Sequence, residues 1–257
     1  GSEMCIRDST GRAWCCLPEE LQDVELDGLI ASAGSDIWFH GQNVYRQSLS
    51  PELIEHTCQI LKEMDAVYLL EGFDRIYVSE KAQRILLGKE VLPNDNPELV
   101  RWKKYFRQKP NLYPIEEWTP DGEKVPKITF MLFQKEQVEK VKEIMSEHFH
   151  VVFFPAAYDD FWNGELISRR ADKGTAIQKA AELLHIGIED TIAFGDSMND
   201  YEMIEKAGCG VVMANGDEYL KTIADRICES VQEDGVVREL ERMHPVSYTH
   251  LTLPTTS

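Results

Sequence analysis

Late in the chain, Gly195-Asp196-Ser197-Met198-Asn199-Asp200 gathers two carboxylates and an amide directly after the short apolar run Thr191–Phe194. On a tight loop that set of oxygens suits a hard cation. The same residues also read as an Asx-rich turn capping a helix at Asp200. Lys173-Gly174-Thr175 opens a helical pattern. Free backbone N–H groups and the helix dipole favour anions there, and the lysine can neutralise a phosphate or a phosphorylated side chain. A solvated first-turn lysine is the plain alternative. Thr10-Gly11-Arg12 offers a hydroxyl, a flexible backbone amide and a guanidinium ahead of another helical stretch. This is a phosphate cradle by its chemistry, but a tripeptide that also occurs by chance.

These residues need elements to hold them. Lys173–Leu184 sets Ile177, Ala180, Ala181 and Leu184 on one helix face, Thr191–Phe194 reads as a strand, Tyr201–Ala207 as a helix and Gly210–Met213 as a buried strand. Strands alternating with helices imply a parallel sheet with helices on its faces, and such sheets bind ligands beyond the carboxyl ends of their strands. Upstream, Leu17–Leu26 reads as a helix and Leu29–Ser32 as a strand. Ile37–Phe39 and Val44–Arg46 form a hairpin around His40–Asn43, and Ser50-Pro51 opens a helix with Ser50 as its N-cap. The middle differs. Ala66–Leu70, Arg75–Val78, Lys127–Phe133 and Val151–Pro155 read as strands, Lys135–Phe149 as an amphipathic helix, and the Pro-rich stretches 93–97 and 110–126 as linkers. This mixture suggests an inserted α+β domain over 50–165, within a core domain formed by 10–49 and 166–245.

Composition narrows the partners. Against 27 basic residues stand 45 acidic ones, a net charge of −18, which disfavours nucleic acid and anionic membranes. The basic stretch 101–109 carries Trp102, Tyr105 and Phe106 on one helical face and reads as an amphipathic helix. Six cysteines form no C-x-x-C pair or zinc-like cluster, so reduced thiols and a cytoplasmic protein are expected. His148 and His150 alternate as on a strand edge. The ends, GSEMCIRDS at 1–9 and VSYTHLTLPTTS at 246–257, offer no packing face. Both resemble translated sequencing-adapter sequence and are set apart from the fold.

The string WNGELISRRADKGTAIQKAAELLHI, followed by FGDSMNDYEMIEKAGCGVVMANGDEYLKTIADRICESVQEDGVVREL, is similar to the Cof-type, class IIB phosphatases of the haloacid dehalogenase (HAD) superfamily. TGR with LDGLIASAGSDIWFHG matches the region after that family's second motif. The resemblance implies a Rossmannoid α/β parallel-sheet core with an inserted α+β class IIB cap. It also implies a Mg2+-dependent hydrolysis of a phosphomonoester, a sugar phosphate or similar small metabolite, through an aspartyl-phosphate. By the resemblance, the Thr10 hydroxyl and Gly11 amide hold the phosphoryl group, with Arg12 beside them. Lys173 restrains the nucleophile, and Asp196 binds the metal directly. Asp200 orients metal-bound water, and Asn199 reaches phosphate or substrate. Two other readings remain: a phosphomutase of the same fold, and a non-catalytic binder of phosphometabolites.

The sequence departs from the family in two places. D-x-D-G-T, which carries the family's nucleophilic aspartate, is absent from the 257 residues. The strand leading into Thr10 is expected to be lost with it, since it falls in the adapter-like stretch. The expectation is therefore an N-terminally truncated chain, inactive as written and poorly folded in its core. Ala33 stands where the family often has asparagine, which puts one substrate contact in doubt.

Overall fold

The computed structural model describes residues 7–10, 27–88, 97–108, 111–154 and 161–243. Among these, three sheets organise the chain. The first contains β1 (Arg7–Ser9), β2 (Gly28–Ala31), β3 (Asp36–Phe39) and β4 (Gln42–Arg46), in that order. β1 pairs with β2 in parallel, and the rest is an antiparallel meander. The strand into Thr10 is thus present: Arg7, Asp8 and Ser9 pair with Gly28, Leu29 and Ile30, and the Thr10 amide donates to the Ile30 carbonyl at 2.9 Å. This corrects the expectation that it was lost. Strand pairing is made by backbone groups, so a neighbour as apolar as Leu29–Ile30 can recruit residues whose own side chains show no period. The β3–β4 hairpin closes on His40-Gly41 alone, both at positive φ (47° and 74°), as a two-residue turn requires.

Residues 47–50 lead into α1 (Pro51–Glu63). Its N-cap is Ser50, whose Oγ accepts from the Leu53 amide at 3.3 Å. A six-stranded sheet follows, ordered β7-β6-β5-β8-β10-β9, from β5 (Val67–Glu71), β6 (Ile76–Val78), β7 (Leu112–Pro114), β8 (Lys127–Leu132), β9 (Phe149–Phe153) and β10 (Trp162–Ser168). Here the sequence reading needs three corrections. Phe149 begins β9, because the helix α3 (Lys135–Met145) ends earlier than its amphipathic pattern suggested. β7 lies inside a stretch read as linker. β10, interrupted by Gly164, was not foreseen, although it pairs on both sides.

The two faces of this sheet are packed differently. Tyr68, Leu70, Ile128, Phe130, Leu132 and Leu166 face α1 and α3, burying Ile54, Leu61, Val138 and Val141. On the opposite face Val67, Leu69 and Met131 meet Ile85 and Leu86 of the helical stretch 80–87, and Leu99 and Phe106 of α2 (Pro97–Arg107). The helix expected near 101–109 is therefore real, and its aromatic face packs inward. β9 is an edge strand, so His150 sits where the sequence placed it.

From β10 the chain enters α4 (Lys173–Leu184), then a parallel sheet of β11 (Ile192–Gly195), β12 (Cys209–Met213) and β13 (Arg226–Cys228). The helices α5 (Tyr201–Lys206), α6 (Glu218–Ile223) and α7 (Gly235–Met243) alternate with these strands. Ala193, Ile204, Val212 and Leu220 form its core. No helix among the described residues is long and apolar enough to cross a membrane. The predicted helix 17–26 and the stretch 93–96 lie outside the described residues.

Candidate active site

The loop 195–200 leaves the carboxyl end of β11 and turns at once into α5. Gly195 is required there, since a Cβ would stand 2.7 Å from Cβ of Asp200. Asp200 folds back into the loop, and its Oδ2 accepts from the amides of Asp196 (3.1 Å) and Ser197 (3.3 Å). The Asx-turn reading and the functional reading therefore hold for the same residue. Ser197 Oγ donates to Asn199 Oδ1 at 2.5 Å. With its carbonyl engaged, Asn199 offers N–H donors, the polarity an anion needs.

α4 starts at Lys173 because Asp172 caps it. Asp172 Oδ1 accepts from the Thr175 amide at 2.6 Å and Oδ2 from the Thr175 hydroxyl at 2.9 Å. Gly174 lets α5 approach closely, since a Cβ there would lie 2.3 Å from the Glu202 carbonyl oxygen. This approach brings Lys173 Nζ to 2.5 Å from Asp200 Oδ1, with both side chains under a tenth exposed. A lone charge of either sign would be costly so deep in the protein, so each makes the other tenable. The bond engages one of the three ammonium donors.

Thr10 joins the group from the other side. The Ala33 amide donates to the Thr10 carbonyl at 3.1 Å, and Gly34 packs so tightly on Asp172 that a Cβ would meet its carbonyl oxygen at 2.3 Å. The turn Ser32-Ala33-Gly34, all at positive φ (51°, 54° and 99°), thus lies between Thr10 and the start of α4. The structure brings Lys173, Asp196, Asn199 and Asp200 together directly and links Thr10 to them through this turn. Gly11 and Arg12 lie outside the described residues.

Asp196 and Asp200 differ in what they can bind. Both oxygens of Asp200 are engaged, by Lys173 and by the loop amides. The Asp196 carboxylate is exposed and accepts no hydrogen bond among the described residues, while its backbone carbonyl accepts from the Asp217 amide at 2.9 Å. No group of three His, Cys, Asp or Glu residues poised to hold a metal occurs among the described residues. Mg2+ is commonly bound by one or two carboxylates, with waters and substrate phosphate completing its shell. The exposed carboxylate of Asp196 fits that role. Asp172, Gly34 and Asp217, which fix the site, escaped the sequence reading. Their signals were an acidic residue just before a helix and a glycine beside a strand.

A family model described as haloacid dehalogenase-like hydrolase matches residues 4–240. The chain belongs to this family. Its fold is that of the family's solved members. A haloacid dehalogenase-like hydrolase from Bacillus subtilis superposes with a TM-score of 0.73 at 22% identity, covering 93% of this chain and 88% of that one. The HAD subclass IIB sugar phosphatase BT4131 superposes with a TM-score of 0.71 at 20% identity, over 95% and 86%. Among sequences, the chain is 44% identical to phosphatase YwpJ of Bacillus subtilis over 81 residues, which are 32% of this chain and 28% of that protein. It is 45% identical to a phosphoglycolate phosphatase of Methanosarcina acetivorans over 74 residues, 29% of this chain and 33% of that protein. The chain thus matches about a third or less of the length of these two relatives. Bacillus subtilis YkrA matches at 26% identity over 91% of this chain and 82% of its own length.

Proposed function

We propose that this site serves a magnesium-dependent phosphatase that hydrolyses phosphomonoesters of sugars or similar small metabolites through an aspartyl-phosphate. The nucleophilic aspartate would come from a D-x-D-G-T segment, which the 257-residue sequence does not contain. The observation that carries this reading is the buried Lys173–Asp200 pair beside the exposed Asp196, at the carboxyl end of a parallel strand. Named phosphatases among the relatives support it.

In this reading the Thr10 hydroxyl, the Gly11 amide and Arg12 hold the phosphoryl oxygens from one side, and Asn199 N–H donors from the other. Lys173 is fixed by Asp200 and directs its remaining N–H donors at the nucleophile and the phosphoryl group, holding like charges together. Asp200 acts from behind, through Lys173 and the loop amides that orient Asp196. Magnesium on Asp196 supplies, when bound, positive charge to the phosphoryl oxygens. Attack by the aspartate releases the alcohol, which takes a proton, and water then cleaves the acyl phosphate. The segment 50–165 acts as the cap, over a core of 10–49 and 166–245. The free thiols of Cys58, Cys209 and Cys228 support a reducing, cytoplasmic location.

The test is hydrolysis of para-nitrophenyl phosphate, with and without magnesium, by two chains: the present one, and one extended ahead of Thr10 by a strand–helix segment bearing D-x-D-G-T. Turnover only by the extended chain with magnesium is expected. Turnover by the present chain would overturn the assignment of the nucleophile. A folded extended chain inert towards this ester and a panel of sugar phosphates would overturn the phosphatase reading.

A further inference from the structure

The last residue of β4, Arg46, has its guanidinium clamped in place. Nε donates to Asp36 Oδ1 at 3.1 Å, and the fully buried Asp36 also accepts from the Trp38 indole at 2.8 Å and the Asn43 amide at 2.5 Å. The guanidinium lies over two rings, Trp38 of the same hairpin at 5.4 Å and Phe73 of the turn between β5 and β6 at 4.4 Å. Phe73 is itself buried. Among the described residues the hydrogen bonding of Arg46 goes to Asp36 alone, through Nε. Its two terminal nitrogens keep four N–H donors in one fixed plane. Arg46 lines a cavity of about 680 Å3, together with Ser48, the β5–β6 turn and residues between 117 and 124. Phe73 lines it too and Asp36 does not, so the terminal nitrogens are the part of Arg46 turned toward the cavity.

This cavity is separate from the catalytic cluster. None of Thr10, Lys173, Asp196, Asn199 and Asp200 lines it. In the first sheet β4 lies three strands away from β1, the strand that leads to Thr10, or about 14 Å at ordinary strand spacing. The lining carries both signs of charge. Arg75 is engaged by the Tyr113 ring, over which it stacks at 4.9 Å, and Glu123 Oε1 accepts from the Asp74 amide at 3.0 Å. The carboxylates of Asp74 and Glu117 are exposed and enter no ion pair among the described residues. An open guanidinium fork and open carboxylates therefore share one concave space, the few placed polar groups that a small-molecule site needs.

We infer that this cavity is a second ligand site, apart from the phosphoryl centre, and that it takes a small zwitterion. The ligand's carboxylate is received end-on by the two terminal nitrogens of Arg46, and its ammonium group by Asp74 or Glu117. A carboxylate matches such a fork with two parallel N–H···O bonds. A guanidinium already fixed by a buried carboxylate and two rings has little freedom left to lose on binding. A zwitterion brings no net charge to a protein of net charge −18, whereas a phosphate dianion would be repelled. The site does not depend on the phosphatase reading.

The test is 1H–15N NMR of the whole labelled chain, titrated with the straight-chain ω-amino acids from β-alanine to 8-aminooctanoate. Monocarboxylates and primary amines of the same lengths serve as controls. At least one amino acid should shift the Phe73, Arg75 and Lys124 amides saturably, leaving those of Asp196 and Ser197 in place. It should bind about 10-fold tighter than its matched monocarboxylate, the difference made by a charged hydrogen bond. Asp74→Asn combined with Glu117→Gln, both at exposed positions, should reduce that ratio to about 2-fold or less. Arg46→Lys keeps the charge but loses the planar fork, and should weaken binding about 10-fold. Absence of these shifts across the series at about 10 mM would overturn the inference. So would a monocarboxylate that binds as tightly as its amino acid, or shifts confined to Asp196 and Ser197. Should Arg46→Lys disturb the hairpin, the Asp74 and Glu117 changes decide alone, and a ratio they leave intact overturns the site.

Discussion

The ammonium of Lys173 stands 2.5 Å from Oδ1 of Asp200, although 27 residues separate them in the chain. Removing either partner leaves the other charge buried alone, at a cost of about 3–5 kcal/mol. Asp200→Ala should cost more than Lys173→Met, because it also strips the Asp196 and Ser197 amides of their acceptor. The double variant should be less destabilised than the sum of the two, since the second change removes a charge already stranded. Urea unfolding of the three variants tests this, and strict additivity would show that the pair is not coupled.

Gly174 sets how closely α4 meets α5. A methyl group there would press on the Glu202 backbone carbonyl at 2.3 Å, and backbone cannot swing aside as a side chain can. Gly174→Ala, which would help an exposed helix, should instead cost about 2 kcal/mol or more by overpacking. It should also weaken phosphate binding, because the helix shift moves Lys173. A melting temperature equal to or above that of the parent would contradict the proposed close approach.

Ala33 is held at φ 54°, a left-handed conformation that disfavours a side chain without a local hydrogen bond. Ala33→Gly should relieve this and stabilise the protein by about 0.5–1 kcal/mol, despite the added freedom of the unfolded chain. Ala33→Asn should be tolerated better than Ala33→Val, since asparagine visits this region readily and branched side chains do not. Thermal unfolding of the three variants provides the ranking, and a destabilised Ala33→Gly would mean that the methyl group's packing outweighs the strain.

Much of this site could be read from local pattern. The loop 195–200 follows a short apolar strand and precedes a helix, so its place at a sheet's carboxyl end was legible. Lys173 at the first turn of α4 was legible from helical periodicity, and Ser50 and Pro51 marked the start of α1. What escaped depends on pairing across the fold. β10 reads as irregular because Gly164 breaks its pattern, yet a Cβ there would stand 2.4 Å from the Val152 carbonyl oxygen of the neighbouring strand, so the glycine is what allows the pairing. Glu71, Lys127 and Glu165 lie far apart in sequence and become one ion-paired group only through strand register. Residues 7–9 fall in a stretch that resembles adapter-derived sequence and offers no packing face of its own, whereas the place of β1 depends on backbone bonds to β2.

The last helix is fastened by charge, and its pH dependence follows. Arg242 of α7 donates through Nη1 to Glu229 Oε2 at 2.8 Å and to Glu239 Oε2 at 3.1 Å, and Arg226 also binds Glu239. The Arg242 hydrogen bond, with help from Glu229's own backbone amide, lowers the Glu229 carboxyl from 4.5 to about 2. The folded state therefore holds its proton less tightly than the unfolded state does. The stabilisation from this contact is complete above the unfolded value near 4.5 and is lost as pH falls from there to about 2. Glu239 acts in the same direction: burial raises its carboxyl, and the two arginines outweigh that rise. Arg242→Gln should return the Glu229 midpoint close to that of an ordinary glutamate and flatten the acid limb of the stability curve between those pH values. Carboxyl 13C titration by NMR, paired with urea unfolding at stepped pH, reads both effects. An unchanged Glu229 midpoint in the variant would show that its own backbone amide, not the guanidinium, holds its proton affinity down.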